Sequence, residues 1–435
     1  MDGFIGRRNE LKKLEDLYRN KSGSCAISGR RHIGKTSLIR KFSEGKEHIY
    51  ISGYRGLPSD NLRMIKQELS RFAGRDVKLP DIMDLFDVIA ELCRKKEKTL
   101  VIIDRYSDLV ENFSAFDSAV RDFMLRGLNN TRILLVVCDE GTSLFDRFYV
   151  NIKLDRMNFR ECAGFHPDYT PRQNLMVYSI VGGVPAYHAE FGDDPEKTIR
   201  MKMFDHLSFF SLEAECFFGR DMVTQNRIMS ALASGICSLK AIADATELPT
   251  VICNKALDEL TLRGVVKKIP VGIRKNIYLI DSYLLRFYFE VVNEYSVVAE
   301  YYGAEEAYKK ATKHIMAYLE DTFKDICMEY LGLHYAVSES MRVRIRDDIE
   351  SVEADFRSLM IESDVSRTVY GKCRLDGAPL GINELNGLIA YGKTDGGLNR
   401  LFVLFSGCGF TDELKAKAKM SASIRLVTVE DLYYD

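Results

Sequence analysis

Residues 29 to 39 read Gly29-Arg30-Arg31-His32-Ile33-Gly34-Lys35-Thr36-Ser37-Leu38-Ile39 and satisfy the pattern G-x-x-x-x-G-K-[ST] at every fixed position. This P-loop constrains the chain more than any other stretch. Before it, Cys25-Ala-Ile-Ser28 is an apolar run suited to a buried strand, and after it Thr36 to Phe42 carries Leu38 and Ile39 at helical spacing. Strand, loop and helix in that order are the context the motif requires. There the amides of residues 30 to 34 and the helix N-terminus face an anion, Lys35 reaches the outer phosphates of a nucleotide, and the Thr36 hydroxyl ligates a magnesium ion. Gly29 through Ser37 are thus the expected nucleotide-binding residues.

At 435 residues the chain exceeds one ordinary core, so two or three domains are expected. Its composition, 46% hydrophobic and 29% charged, belongs to a soluble globular protein without a membrane association. No apolar run approaches the ~20 residues of a membrane span, and the opening Met1-Asp-Gly-Phe-Ile-Gly-Arg7 lacks a secretory pattern, which predicts a cytoplasmic location. The ten cysteines are scattered singly from Cys25 to Cys408, a pattern of reduced thiols rather than of a zinc site. A net charge of -2 argues against broad electrostatic attachment to nucleic acid and leaves room for a local basic face.

In chain order, Phe4-Ile5-Gly-Arg7-Arg8-Asn-Glu10 leads into a helix with Leu11, Leu14, Leu17 and Tyr18 on one face. It is either a packing helix or, as in many P-loop ATPases with an aromatic-x-Gly-Arg-x-x-Glu stretch, a segment beside the adenine. Thr99-Leu-Val-Ile-Ile-Asp104 is an apolar run closed by an acid, the pattern of the strand that presents a carboxylate to the magnesium. Arg132 to Glu140 makes another buried strand, with Asp139 and Glu140 at its end. Strands near 25 to 28, 48 to 52, 99 to 104, 132 to 138 and 151 to 154 alternate with amphipathic helices. An α/β fold with a doubly wound parallel sheet over residues 1 to 155 follows, with ligands at the carboxyl ends of the strands.

From 156 to 220 the pattern turns helical, as a lid would, and Gly182-Gly183-Val184-Pro185-Ala-Tyr187 marks a sharp bend. Over 221 to 302, three helical segments broken at Gly235 and Glu247 precede two strands and an aromatic-rich helix, the order of a winged helix-turn-helix. Its charges are eight basic against four acidic, a balance of +4, and its candidate recognition helix offers Thr250, Asn254 and Lys255. DNA and a protein partner are both open as its target. Residues 310 to 435 read as a mixed sheet with helices.

Phe4-Ile5-Gly-Arg7, Gly29 to Ile39, the Asp104 strand, Asn158-Phe-Arg-Glu161, Gly182 to Tyr187, the winged helix and Leu404-Phe405-Ser-Gly-Cys-Gly-Phe410 together resemble the prokaryotic, mainly archaeal-type AAA+ superfamily ATPases. The resemblance covers nearly the whole chain. It implies ATP or ADP as ligand, Mg2+ held by Thr36 and Asp104, nucleotide contacts from Phe4, Ile5, Arg7 and Pro185, and a C-terminal domain like a restriction endonuclease. Two departures bear on mechanism. Arg105 stands where the family usually has the Glu that activates water, so Lys35 and Asp104 are joined by Asp139 and Glu140 as catalytic candidates, through a charge swap with Arg105; otherwise Arg105 turns outward to Asp108 or Glu111. In the C-terminal domain Asp355 is matched by Lys372-Cys373-Arg374, a lysine where a metal-binding Glu is expected, so no nuclease activity is expected. The expectation is an ATP-binding AAA+-like ATPase whose nucleotide state places its winged helix. Its rivals are a DNA-processing protein with a relic ATPase and a scaffold stabilised by nucleotide.

Overall fold

A computed structural model describes residues 3–20, 22–141, 148–216, 222–270, 276–342, 354–362 and 365–434. The chain forms two compact units, Met1–Arg156 with Val184–Ala186, and Met157–Gly183 with Tyr187–Asp435.

The first unit is built on five strands: β1 (Gly23–Ser28), β2 (His48–Ser52), β3 (Thr99–Asp104), β4 (Ile133–Asp139) and β5 (Val150–Lys153). They lie in the order β2-β3-β4-β1-β5, all parallel. Central β3 and β4 are buried at every residue, which is why they read as unbroken apolar runs, whereas edge strand β2 alternates. Ile49, Ile51, Val101, Ile103, Leu135 and Val137 share one core with Ile65 and Leu69 of helix Pro58–Ala73 and with Leu85, Phe86 and Ile89 of helix Leu85–Cys93. Pro58 opens the former helix at a position needing no N–H bond, and Gly74, at φ 66, closes it. The expected parallel α/β sheet is the observed one, and β4 lies between the P-loop strand and the Asp104 strand.

In the second unit, helices Met222–Ala233, Leu239–Thr246 and Thr250–Leu262 share a core with the hairpin of β6 (Val266–Pro270) and β7 (Asn276–Ile280). Ser238 bridges antiparallel to Ile277, adding a short third arm to the hairpin, and Glu247 turns left-handed between two helices at φ 53. Arg274 and Lys275 lie outside the described residues. Helix Ala304–His334 is 31 residues long, about 46 Å at the usual rise. It begins in the stretch between 302 and 310, which the sequence reading assigned to neither neighbouring domain. Its Tyr318 hydroxyl donates to the carbonyls of Ser179 and Tyr283 at 3.0 and 3.2 Å.

The last part is a five-stranded sheet of β8 (Ala336–Arg342), β9 (Phe356–Glu362), β10 (Val365–Arg374), β11 (Leu401–Ser406) and β12 (Ile424–Thr428) in order β12-β11-β10-β9-β8. β8, β9 and β10 pair antiparallel, whereas β10, β11 and β12 pair parallel through helices Ile382–Asp395 and Asp412–Lys419, giving the mixed sheet expected.

Candidate nucleotide site

The loop after β1 bends through residues that favour it. Gly34 takes φ 97 as it caps helix Lys35–Ser43, and His32 takes φ 64. A Cβ on Gly29 would lie 2.8 Å from the Leu154 carbonyl oxygen, so the first motif glycine is required by close backbone approach. Ile33 is fully buried and anchors the loop, while Arg31 and Ser37 are exposed and Arg30 is half-buried.

Arg7 is buried, with φ 55, and its guanidinium donates to the carbonyls of Ile33 at 3.3 Å and Asp155 at 2.6 Å. Glu10 balances its charge at 3.4 Å. Arg7 therefore braces the P-loop against the segment after β5. Phe4 and Ile5 precede it, half-buried. Pro185 belongs to the first unit, and a Cβ on Gly34 would lie 3.7 Å from its Cγ, so Pro185 flanks the loop. In the second unit, a Cβ on Gly183 would stand 1.8 Å from the Met157 carbonyl oxygen. The glycine pair read as turn chemistry is thus also a point of backbone contact.

Lys35 Nζ donates to the carbonyls of Gly29 at 2.6 Å and Arg30 at 3.0 Å, which holds the ammonium at the mouth of its own loop. Burial pushes its pKa down, and the negative charge of Glu140, ahead of that of Asp104 and Asp139, acts against the shift. Asp104, buried at the end of β3, gathers three donors. Thr36 Oγ1 and Tyr50 Oη both donate to its Oδ2 at 2.8 Å, and the Arg105 amide donates to Oδ1 at 2.9 Å. Hydroxyl and carboxylate oxygens with no soft ligand fit magnesium.

Arg105 is exposed and left-handed at φ 53, ψ 53, the N-cap of helix Tyr106–Asn112. The ion pair that a charge swap could form is not seen: among the described residues no carboxylate forms an ion pair with Arg105. Ser107 instead binds Asp139, by its hydroxyl at 2.5 Å and its amide at 3.4 Å. Arg105 is exposed, as the outward alternative has it, but among the described residues no ion pair joins it to Glu111 or to Asp108, which pairs with Arg55 at 2.9 Å. The left-handed turn delivers Ser107, not Arg105, to the end of β4. Glu140 is exposed beside it.

In the second unit, Asp355 accepts from the Cys373 amide at 2.8 Å and lies 3.6 Å from both Lys324 and Lys372. Glu320 accepts from the amides of Leu375 and Asp376, and Arg374 pairs with Glu384 at 2.9 Å. The carboxylates here are engaged by ammonium, guanidinium and backbone donors. Sequence reading missed Tyr50, Ser107, Lys324 and Glu320. None carried a local signal: that Tyr50 faces the Asp104 corner follows from the register of β2 on β3, which pairs Ser52 with Asp104 and puts Tyr50, two residues earlier, on the same face.

No family model matches the chain. An uncharacterized protein of Methanocaldococcus jannaschii is 26% identical over 315 residues, 66% of this chain and 69% of that protein. An uncharacterized ATP-binding protein of the same organism is 44% identical over 45 residues, 10% of this chain and 76% of that protein. Among solved structures, a Walker-type ATPase of Pyrococcus abyssi superposes with TM-score 0.52 at 14% identity, over 66% of this chain and 96% of that one. Strand order, P-loop geometry and this likeness together show that the chain has the α/β fold of the P-loop nucleoside triphosphatases.

Proposed function

We propose that the protein is an ATP-binding, magnesium-dependent ATPase of AAA+ type that acts in the cytoplasm. The observation that carries this is the 2.8 Å bond from Thr36 to Asp104, which joins the two halves of a magnesium corner across 68 positions of sequence. The amides of residues 30 to 34 bind the phosphate chain, and the Lys35 ammonium exchanges its loop carbonyls for outer phosphate oxygens. Phe4 and Ile5 flank the base, with Arg7 fixing the loop behind them. Thr36 and Asp104 would hold a magnesium ion, which would supply the charge neutralisation that phosphoryl transfer requires. Glu140 positions the attacking water, because Asp139 is occupied by Ser107 and Arg105 cannot accept a proton.

The bend at Gly182 to Pro185 is the lever of this reading: Val184–Ala186 belongs to the first unit and both flanks to the second. Nucleotide state would act along it on residues 156 to 220, as a lid, and on a winged helix over 221 to 302. A protein partner for that module is favoured over DNA by one observation. Asn254 and Lys268 are both drawn to Asp258, at 3.0 and 3.4 Å, while Val251, Ile252 and Leu262 are exposed on the same helix. Residues 310 to 435 are read as an endonuclease-like domain whose site has become structural.

The test is ATP binding and turnover on one preparation, with and without duplex DNA. Wild type should bind and slowly hydrolyse ATP, and Glu140→Gln should lower turnover by roughly a hundredfold or more while binding persists. Turnover equal in wild type and variant would remove Glu140 from the mechanism.

A further inference from the structure

We infer that Tyr50 is a positioning residue for Asp104 and sets the preference of the site for magnesium over a larger divalent cation. This rests on the nucleotide and magnesium reading of the same corner. An ionised carboxylate offers about four acceptor positions. Three of those on Asp104 are taken, by the Thr36 hydroxyl, the Tyr50 hydroxyl and the Arg105 amide. Two of the three, Thr36 and Arg105, belong to the motifs themselves. Tyr50 is the additional donor, arriving from the edge strand.

Its placement is built from both ends. Its backbone amide donates to Glu68 Oε1 at 3.0 Å, and Glu68 is itself gripped by Arg71 at 2.7 and 2.6 Å. The ring forms part of the wall of a cavity of about 300 Å³ with Thr36, Ile39, Arg40 and Ser43 of the helix after the P-loop. The backbone is thus tied to Glu68 and the hydroxyl to Asp104.

The consequence concerns how many oxygens Asp104 can offer a cation. Magnesium keeps most of its water and takes one or two carboxylate contacts, whereas calcium takes six to eight oxygens and uses carboxylates bidentately. With Tyr50 in place, Asp104 has one free acceptor position, which suits a single contact and denies bidentate coordination. Without that hydroxyl, Oδ2 regains a lone pair and the larger ion gains more than the smaller one.

The experiment uses the full chain and measures ATP affinity by calorimetry in EDTA, then titrated with MgCl2 and with CaCl2. Wild type should favour magnesium. Tyr50→Phe keeps the ring, should leave affinity in EDTA unchanged, and should shift the magnesium-to-calcium preference toward calcium by about tenfold, the scale of one charge-assisted hydrogen bond. In an Asp104→Asn background the same substitution should have no effect on that ratio, because the hydroxyl then has no carboxylate to hold; an equal shift in both backgrounds would overturn the assignment. An unchanged ratio in Tyr50→Phe, with ATP still bound, overturns the assignment of Tyr50 alone. Failure of wild type to bind ATP under any of these conditions overturns the nucleotide reading beneath it.

Discussion

The Ser107 hydroxyl donates to Asp139 Oδ2 at 2.5 Å, tying the end of β4 to the turn that follows β3. Asp139 is buried, so this bond has a structural weight that the exposed Glu140 next to it lacks. Ser107→Ala should cost about 1.5 to 3 kcal/mol, the worth of a hydrogen bond to a charged group. ATP turnover should fall less than in Glu140→Gln. Denaturant midpoints and steady-state rates on the two variants check this, and a larger rate loss in Ser107→Ala would shift the catalytic role toward Asp139.

Lys35→Ala should weaken ATP binding by roughly 10- to 100-fold, the loss of one or two charge-assisted hydrogen bonds. The second unit should stay folded, since the bonds given by Nζ are to the loop carbonyls of Gly29 and Arg30. Unchanged affinity in calorimetry would sink the P-loop assignment.

Asp355 stands between Lys324 and Lys372 at 3.6 Å from each, with 14% of its side chain exposed. Asp355→Ala leaves two ammonium groups without the carboxylate between them. The cost should be on the order of 2 kcal/mol, below the value for a fully buried pair because water screens part of it. Neither wild type nor variant should cut duplex DNA with magnesium or manganese. Metal-dependent cleavage abolished by Asp355→Ala would reverse this reading of the C-terminal domain.

His166 and His188 form a buried pair whose tautomers follow from their partners. His188 Nε2 faces the Gly182 carbonyl at 2.8 Å, which can only accept, so Nε2 carries the proton and Nδ1 accepts from His166 Nε2 at 3.1 Å. Burial lowers both pKa values from 6.5 to about 4. The unfolded chain therefore takes up protons below about pH 6.5 while the folded chain does not until about pH 4. Stability is full above 6.5 and is lost as pH falls toward 4, at up to about 1.4 kcal/mol per pH unit for each histidine. Denaturation midpoints between pH 7 and 4.5 should show this slope, and His166→Phe should reduce it by about half. An unaltered slope in the variant would assign the pH dependence elsewhere.

The P-loop, the Asp104 strand and the parallel sheet were legible in the sequence because each is written locally. A glycine pattern, an unbroken apolar run and a run closed by an acid need no knowledge of neighbours, and the buried strands β3 and β4 show why such runs arise. The pairing of Thr36 with Asp104 was legible through the two motifs, but the third member of that corner was not, since Tyr50 reaches Asp104 from 54 positions away and only the strand order brings it there. The same holds for Arg105. An arginine at 105 with acids at 139 and 140 suggested a swapped charge pair, but whether a guanidinium meets a carboxylate depends on the local backbone as well as on sequence. The left-handed turn there sends Ser107 to Asp139 in its place. In the C-terminal sheet, Lys372 announced a lost acid, but Lys324, from a helix ending before β8, completes the substitution of ammonium groups around Asp355. Local pattern determined which elements form, because backbone hydrogen bonds and apolar periodicity are short-range. Tertiary packing decided which polar side chains meet, because each such pairing depends on elements distant in sequence.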